Sequence, residues 1–172
     1  MTPRLLALLP EGHEAAIGGG LSGIVAVARA TGAATRIAYV HALPRPRLDE
    51  YDRVVVDRDG EMARIDRVTT AALESAARTF TDLRIEVVVR FGRLRREAAV
   101  ELEVYAPDTV VVLSSPAAPV RTRVAAWRLR RSLARESKAR LLVIEPGTPA
   151  APRRPLSELI AQGLGTLDLR LP

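Results

Sequence analysis

The stretch VVVLSSPAAPVRTRVAAWR, residues 110–128, decides the fold class, because an apolar run leads through a short loop into a basic helix. An uninterrupted run such as residues 110–113 is typical of a strand covered on both faces, as in a parallel sheet. Many α/β proteins hold a phosphate where such a strand turns into a helix. The loop here contains two serines and two prolines but no glycine. The stretch therefore predicts a parallel sheet and argues against a phosphate site.

Strands and helices alternate along the rest of the chain. Four further apolar runs predict strands: RLLALL (4–9), TRIAYVHAL (35–43), RIEVVVRF (84–91) and RLLVIEP (140–146). Apolar residues at helical spacing predict helices at about 14–31, 60–80, 94–105 and 120–138. This order predicts one α/β domain with a five-stranded parallel sheet and helices on both faces, a Rossmann-like sandwich.

Residues 45–59 are predicted to form a long irregular connection, apart from VVV at 54–56. The helix that follows at 60–80 is expected to bury one face only. Spacings of three and four residues define the buried face. Its members are Met62, Ile65, Thr69, Ala72, Leu73, Ala76 and Phe80.

The composition changes near the end of the chain, so we divide it into a domain at 1–146 and an extension at 147–172. A proline-rich linker opens the extension and favours an extended spacer. The segments LSELIAQGLG and TLDLRLP follow, and each is apolar on one side. We expect them to dock on their own domain or on a partner subunit.

Composition excludes several classes of site. The 172 residues include no cysteine, which rules out disulfides, thiolate nucleophiles and cysteine-based zinc sites, and the two histidines are too few for a histidine-rich metal centre. No run is apolar enough for a transmembrane segment and no signal peptide is recognisable, so we expect a cytoplasmic protein. The net charge of +6 allows an anionic partner, but only 3% of residues are aromatic, which argues against a stacking platform for nucleic acid.

Two stretches carry a resemblance to a known family. They are ATGAATRIAYVHAL at 30–43, with a helix end, a Gly-Ala turn and a strand closing on a histidine, and VVVRFGRLRREAAVELEVYAPDTVVVLSS at 87–115. Both are similar to the universal stress protein family, and the order of elements resembles it over about 145 residues. The resemblance implies a stress-related or regulatory role, and a homodimer formed through the last strand of the sheet.

Nucleotide-binding members of that family have Gly-x-x-Gly, nine residues and then Gly with Ser or Thr after the corresponding strand. Laid on this chain without gaps, those positions are Ser114, Ala117, Trp127 and Arg128. Such a loop binds phosphate through backbone N–H groups and needs space for close approach, whereas proline has no N–H and an indole is bulky. We therefore expect a divergent member that lacks the glycine-rich loop and binds no ATP.

An alternative keeps a pocket with different chemistry. Polar residues at the carboxyl ends of parallel strands lie where α/β proteins bind ligands. In this alternative AMP, ATP or another small anion is held by Glu11, His41, Ser114, Ser115 and Arg121. The simpler interpretation makes His41 a structural hydrogen-bonding residue and the two serines helix caps.

The sequence GGGLSG at 18–23 formally matches the dinucleotide motif Gly-x-Gly-x-x-Gly. The motif requires its glycines directly after the first strand, whereas about eight residues intervene here. We interpret the glycines as a helix start or as a place of close approach to another element.

The helix at 120–138 has two apolar stripes at about 100° per residue. Ala126, Leu129 and Leu133 form one stripe, which must face the sheet. The other, formed by Val120, Val124 and Trp127, lies nearly opposite. With arginines around it, this second stripe fits a protein interface, and the contact patch we predict is Trp127, Arg128 and Arg131. Together with the family resemblance, which implies the homodimer, the sequence favours a non-enzymatic regulatory protein without cofactor or metal. A third hypothesis is that the basic helix binds nucleic acid or membrane, but no recognised motif supports it.

Overall fold

The computed structural model describes residues 2–11, 17–114, 118 and 120–144. Each of the five long strands except the last is followed by a helix, and a short hairpin lies between the second long strand and its helix. In chain order the elements are β1 (Arg4–Pro10), α1 (Ile17–Thr31), β2 (Ala34–His41), β3 (Arg47–Leu48), β4 (Val54–Val56), α2 (Arg58–Ala77), β5 (Ile85–Phe91), α3 (Leu94–Tyr105), β6 (Thr109–Leu113), α4 (Val120–Glu136) and β7 (Arg140–Ile144). The extension at 147–172 lies outside the described residues.

The main sheet has five parallel strands in the order β5-β2-β1-β6-β7. Leu8 of β1 pairs with Ala38 of β2 on one side and with Val112 of β6 on the other. The five-stranded parallel α/β sheet expected from the sequence is therefore confirmed. Strands β5 and β7 form its two edges.

Two helices cover each face of the sheet. On one face, Leu21, Ile24 and Ala28 of α1 and Leu73 of α2 pack on the strands. On the other face, Ala98 of α3 and Leu129 and Leu133 of α4 do so. The central strand β1 is covered on both sides, because residues 5–9 are at most 1% exposed. This explains why its sequence is continuously apolar rather than alternating.

Glycines in α1 let this helix lie close to the sheet. A Cβ atom on Gly20 would be 2.3 Å from Cδ1 of Leu113, and one on Gly23 would be 2.8 Å from Cγ2 of Ile144. Both glycines belong to GGGLSG, which lies inside a helix and not in a loop after β1. The expectation of close approach is confirmed, and the dinucleotide interpretation of the motif is excluded.

The connection between β2 and α2 is more ordered than the sequence predicted. β3 and β4 pair in an antiparallel hairpin that is separate from the main sheet. Its turn is held by Asp49, whose Oδ1 accepts hydrogen bonds from the backbone N–H of Tyr51 and Arg53, both at 2.9 Å. A single residue, Asp57, then leads to α2 and caps its first turn, with Oδ1 2.8 Å from the Gly60 nitrogen. The irregular connection predicted here was therefore partly wrong.

The buried residues of α2 also differ from the prediction, since Glu61 is buried as well. Leu73 is fully buried, whereas Ala72 is exposed. Ala72 and Leu73 are adjacent, about 100° apart around the helix, so the contact with β5 covers a narrower face than the spacing suggested. Ala72 was wrongly assigned to that face.

A group of charged residues lies under α3. Glu101 is completely buried, and its carboxylate accepts hydrogen bonds from Arg36 Nη1 at 3.2 Å and from Arg90 Nε at 2.6 Å. Arg36 also binds Glu86, and its guanidinium lies 4.5 Å from the ring centroid of Tyr105. Burial raises the pKa of Tyr105. A buried carboxylate is stable only with such partners.

No helix in the described part of the chain is long and apolar enough to span a membrane.

Candidate functional site

The ends of β1 and β2 bring Glu11 and His41 together at the carboxyl edge of the sheet. His41 Nε2 lies 3.4 Å from Glu11 Oε1. The other carboxylate oxygen, Glu11 Oε2, accepts a hydrogen bond from the Ala42 nitrogen at 2.8 Å. The backbone nitrogen of Glu11 donates to the Val40 carbonyl at 2.9 Å. Glu11 thus connects the ends of two neighbouring strands, and both of its carboxylate oxygens already have partners.

Aromatic rings enclose the imidazole of His41. Its centroid lies 5.9 Å from that of Phe91 and 6.2 Å from that of Tyr39, and the His41 side chain is only 19% exposed. Glu61 of α2 also lies near His41. The hydrogen bond from Arg64 lowers the pKa of Glu61 most strongly, and the charges of Arg47 and His41 lower it further. The surroundings of His41 favour a packed, hydrogen-bonded role.

The other polar residues predicted for a pocket do not join this pair. Ser114 follows β6, and its backbone nitrogen donates to the Ile144 carbonyl at 2.9 Å. Arg121 lies exposed on α4, and Ser115 lies outside the described residues. Ser114 precedes the first residue of α4 by six positions, so it is not the N-cap residue of that helix. The structure therefore brings two of the five residues together as a bonded pair.

Ser114 instead lines a groove of about 350 Å³ beside the first half of α4. The remaining lining residues are one tryptophan, two arginines and two valines: Trp127, Arg123, Arg130, Val120 and Val124. Arg123 and Arg130 were not predicted as site residues. Arg123 lies four residues before Trp127 and Arg130 three residues after it, so the three side chains share one side of the helix. This spacing is the signal that could have identified the two arginines.

The two stripes predicted for α4 are confirmed. Ala126 and Leu129 are each 1% exposed against the sheet, whereas Val120, Val124 and Trp127 are 71%, 40% and 53% exposed. Arg128 and Arg131 are exposed beside Trp127, and the guanidinium of Arg131 lies 5.6 Å from the indole centroid. We call Val120, Val124, Trp127, Arg128 and Arg131 the outer face of α4.

The outer face of α4 is strongly basic. The helix carries six arginines, and none of them forms an ion pair with any of the acidic side chains that the structure describes, among which Glu136 is not included. This distinguishes α4 from the rest of the fold, where Arg29, Arg36, Arg64 and Arg90 all bind carboxylates.

Comparisons with known proteins give a fold but no close relative. No protein-family model matches the chain, and no curated protein sequence matches it either. Among solved structures, a universal stress protein in complex with cAMP aligns with a TM-score of 0.51 at 14% identity, covering 84% of this chain and 99% of its own. A universal stress protein family member from Burkholderia pseudomallei aligns with a TM-score of 0.53 at 14% identity, covering 82% and 95% respectively. The chain has the universal stress protein fold.

The junction after β6 carries the positions that the sequence resemblance compares with the family's glycine motif. In the ungapped comparison, Trp127 stands in place of the last glycine and Arg128 in place of the Ser or Thr that follows it. Both residues lie about two turns inside α4. Trp127 borders the groove that Ser114 enters. Ala117 and the prolines at 116 and 119 lie outside the described residues. Nor does any group of three His, Asp or Glu residues suited to a metal occur in the described ranges.

Proposed function

We propose that this protein is a non-enzymatic, cytoplasmic regulator of the universal stress protein type, which acts in the stress response as a homodimer and binds proteins rather than ATP. The observation that carries the proposal is the outer face of α4, where an exposed tryptophan lies among arginines without acidic partners in the described chain. Tryptophan and arginine are the residues most enriched at the energetic centres of protein interfaces.

Strand β7 supports the dimer. The Arg140 nitrogen donates to the Asp108 carbonyl, and the Ile144 carbonyl accepts from Ser114, both at 2.9 Å. Since alternate residues of a parallel strand bond to opposite neighbours, the backbone groups of Leu141 and Val143 point away from β6. No described strand pairs with that side of β7. A second copy of the strand could pair there.

The dimer is tested by light scattering on a proline variant of this edge. Val143→Pro removes an outward N–H, and proline is tolerated at an edge strand. We expect a dimer for the wild-type protein, a monomer for Val143→Pro, and a dimer for the control Val143→Ala, which shortens the side chain but keeps the N–H. A wild-type protein that stays monomeric at every concentration would contradict the proposal.

The protein-contact role is tested by affinity capture from stressed cells. Proteins retained by the wild-type chain should be lost with Trp127→Ala combined with Arg131→Ala. They should remain with Arg67→Ala, an exposed arginine on α2 at the opposite face of the sheet. Equal capture by all three chains would show that the outer face of α4 is not the contact.

A second candidate function is binding of a small anion such as AMP or ATP. The groove beside α4 favours it, because Arg123, Arg130 and Ser114 surround an opening also lined by Trp127. One similar structure is described as a complex with cAMP. Calorimetry with AMP, ATP and cAMP distinguishes the candidates. Binding tighter than roughly 100 μM, about −5.5 kcal/mol, would favour this second function.

A further inference from the structure

Three apolar side chains of the outer face form a strip that faces outward. Val120, Val124 and Trp127 follow one another at spacings of four and three residues, so they lie in line along the helix. Their exposures, from 40% to 71%, leave more apolar surface open here than on the sheet-facing side of α4. A contiguous apolar patch of this kind marks a binding surface.

The chain leaves the sheet next to this strip. Strand β7 ends at Ile144, whose carbonyl is bonded to the nitrogen of Ser114. Ser114 lines the same groove as Val120, Val124 and Trp127. Residues 145–172 therefore begin beside the strip and not on the far side of the domain.

The sequence that follows has the length and the pattern to reach the strip. Residues 146–155 are proline-rich, and a proline-rich spacer extends by about 3.1 Å per residue, or about 30 Å here. Helix α4 is only about 25 Å long, at 1.5 Å per residue. Beyond the spacer, apolar residues recur at spacings of three and four. They are Leu156, Leu159, Ile160 and Leu164.

We propose that residues 156–164 bind the apolar strip of α4 in the same molecule. Glu158, within this segment, complements the arginines around the strip. The tether favours the same molecule over a neighbour, because a short linker gives an effective concentration in the millimolar range. The inference rests on the proposed function: the segment occupies the protein-contact face, and a partner must displace it.

Trp127 is the only tryptophan of the chain, so its fluorescence reports on the strip directly. The test compares three full-length proteins by emission wavelength and by quenching with acrylamide, which is uncharged and is not attracted by the arginines. The first is the wild type. The second, the apolar-to-acid variant, carries Leu159→Asp and Ile160→Asp. The third is a control of equal charge, which carries Ser157→Asp and Gln162→Asp. Far-UV circular dichroism verifies that each keeps the fold.

We expect shielded emission in the wild type and the control, and emission at longer wavelength with stronger quenching in the apolar-to-acid variant. The shielding should be independent of protein concentration. Equal emission and quenching in all three proteins would overturn the inference. Shielding that grows with concentration would also overturn it, because the occupant would then be a second copy. Light scattering distinguishes failure of this inference from failure of the proposed homodimer. The apolar-to-acid variant should keep the wild-type mass, because the dimer is proposed to form through β7 and not through residues 156–164.

Discussion

Glu101 of α3 and Arg36 of β2 form an ion pair with 3.2 Å between Oε2 and Nη1, although the Glu101 side chain is fully buried. Arg90 of β5 binds the other carboxylate oxygen. The two arginines keep part of their surface in water, since their side chains are 16% and 35% exposed. Glu101 thereby fixes α3 to the two strands at the β5 side of the sheet.

Replacing Glu101 by alanine should lower the free energy of unfolding by about 3 kcal/mol, because it leaves two cations without their buried partner. We place the cost at the lower end of the usual range because both arginines reach solvent. Urea unfolding measures it. Glu103→Ala, at an exposed position of the same helix, should change stability by no more than about 0.5 kcal/mol. Similar costs for the two variants would contradict this account.

Gly20→Ala should destabilise the protein by about 1–3 kcal/mol through overpacking, although alanine ordinarily favours a helix over glycine by about 1 kcal/mol. The added Cβ would meet the buried Leu113 side chain. Chemical unfolding of Gly20→Ala, Leu113→Ala and the double variant measures the coupling. Since Leu113→Ala removes the clashing atoms, the glycine substitution should cost less in that background. A stabilising effect of Gly20→Ala alone would show that α1 can move outward freely.

Ala106→Gly should stabilise the protein. Ala106 ends α3 with φ of 46°, in the left-handed region. Relief of about 1 kcal/mol of strain should exceed the chain-entropy cost of glycine, about 0.5 kcal/mol. Ala99→Gly, at an exposed position inside α3, should instead lower stability by about 1 kcal/mol. Thermal unfolding should therefore show opposite shifts for the same substitution; shifts of the same sign would refute the prediction.

Asp82→Asn should alter stability in a pH-dependent way. Arg29 donates to both Asp82 oxygens, at 2.7 and 2.8 Å, and this hydrogen bonding lowers the pKa of Asp82. A pKa that is lower in the folded state gives stability that is present above the unfolded pKa, about 3.9, and is lost as pH falls through the folded value. The variant should therefore be less stable than wild type at pH 6.

The difference between Asp82→Asn and wild type should shrink as pH falls through the folded-state pKa of Asp82, because the carboxylate then loses its charge. Urea unfolding at a series of pH values measures it. Asp66→Asn is the control, since the Asp66 carboxylate contacts the Thr70 hydroxyl rather than a cation. If Asp82→Asn were less stable than wild type by the same amount at every pH, the ion pair between Arg29 and Asp82 would not contribute to the free energy of unfolding.

The parallel sheet could be predicted because its central strands are covered on both faces and their sequences are apolar throughout. The two stripes of α4 followed from helical spacing alone. Glu101 could not be predicted, because a carboxylate beside Leu102 suggests an exposed position unless the arginines of β2 and β5 are known to lie under α3. Arg36 is 65 residues away from Glu101, and Arg90, only 11 residues away, contacts it only once α3 packs on the sheet.

The candidate site was predicted less completely. Glu11 and His41 end neighbouring strands and do meet, as their positions suggested. Ser114 and Arg121 do not join them, because β6 lies on the other side of β1 and Arg121 faces outward from α4. The β3–β4 hairpin escaped detection because its strands have only two and three residues, too few for an alternating pattern.

The two borders of the main sheet differ in chemistry. Strand β5 presents Glu86 and Arg90, whereas β7 has no charged residue between Leu141 and Ile144. Charged side chains on an outer strand discourage further strand addition. In the proposed dimer, pairing through β7 would use the same surface on both molecules and so would be closed by twofold symmetry. Further strands could then add to the main sheet only at β5, where the charged side chains would disfavour them.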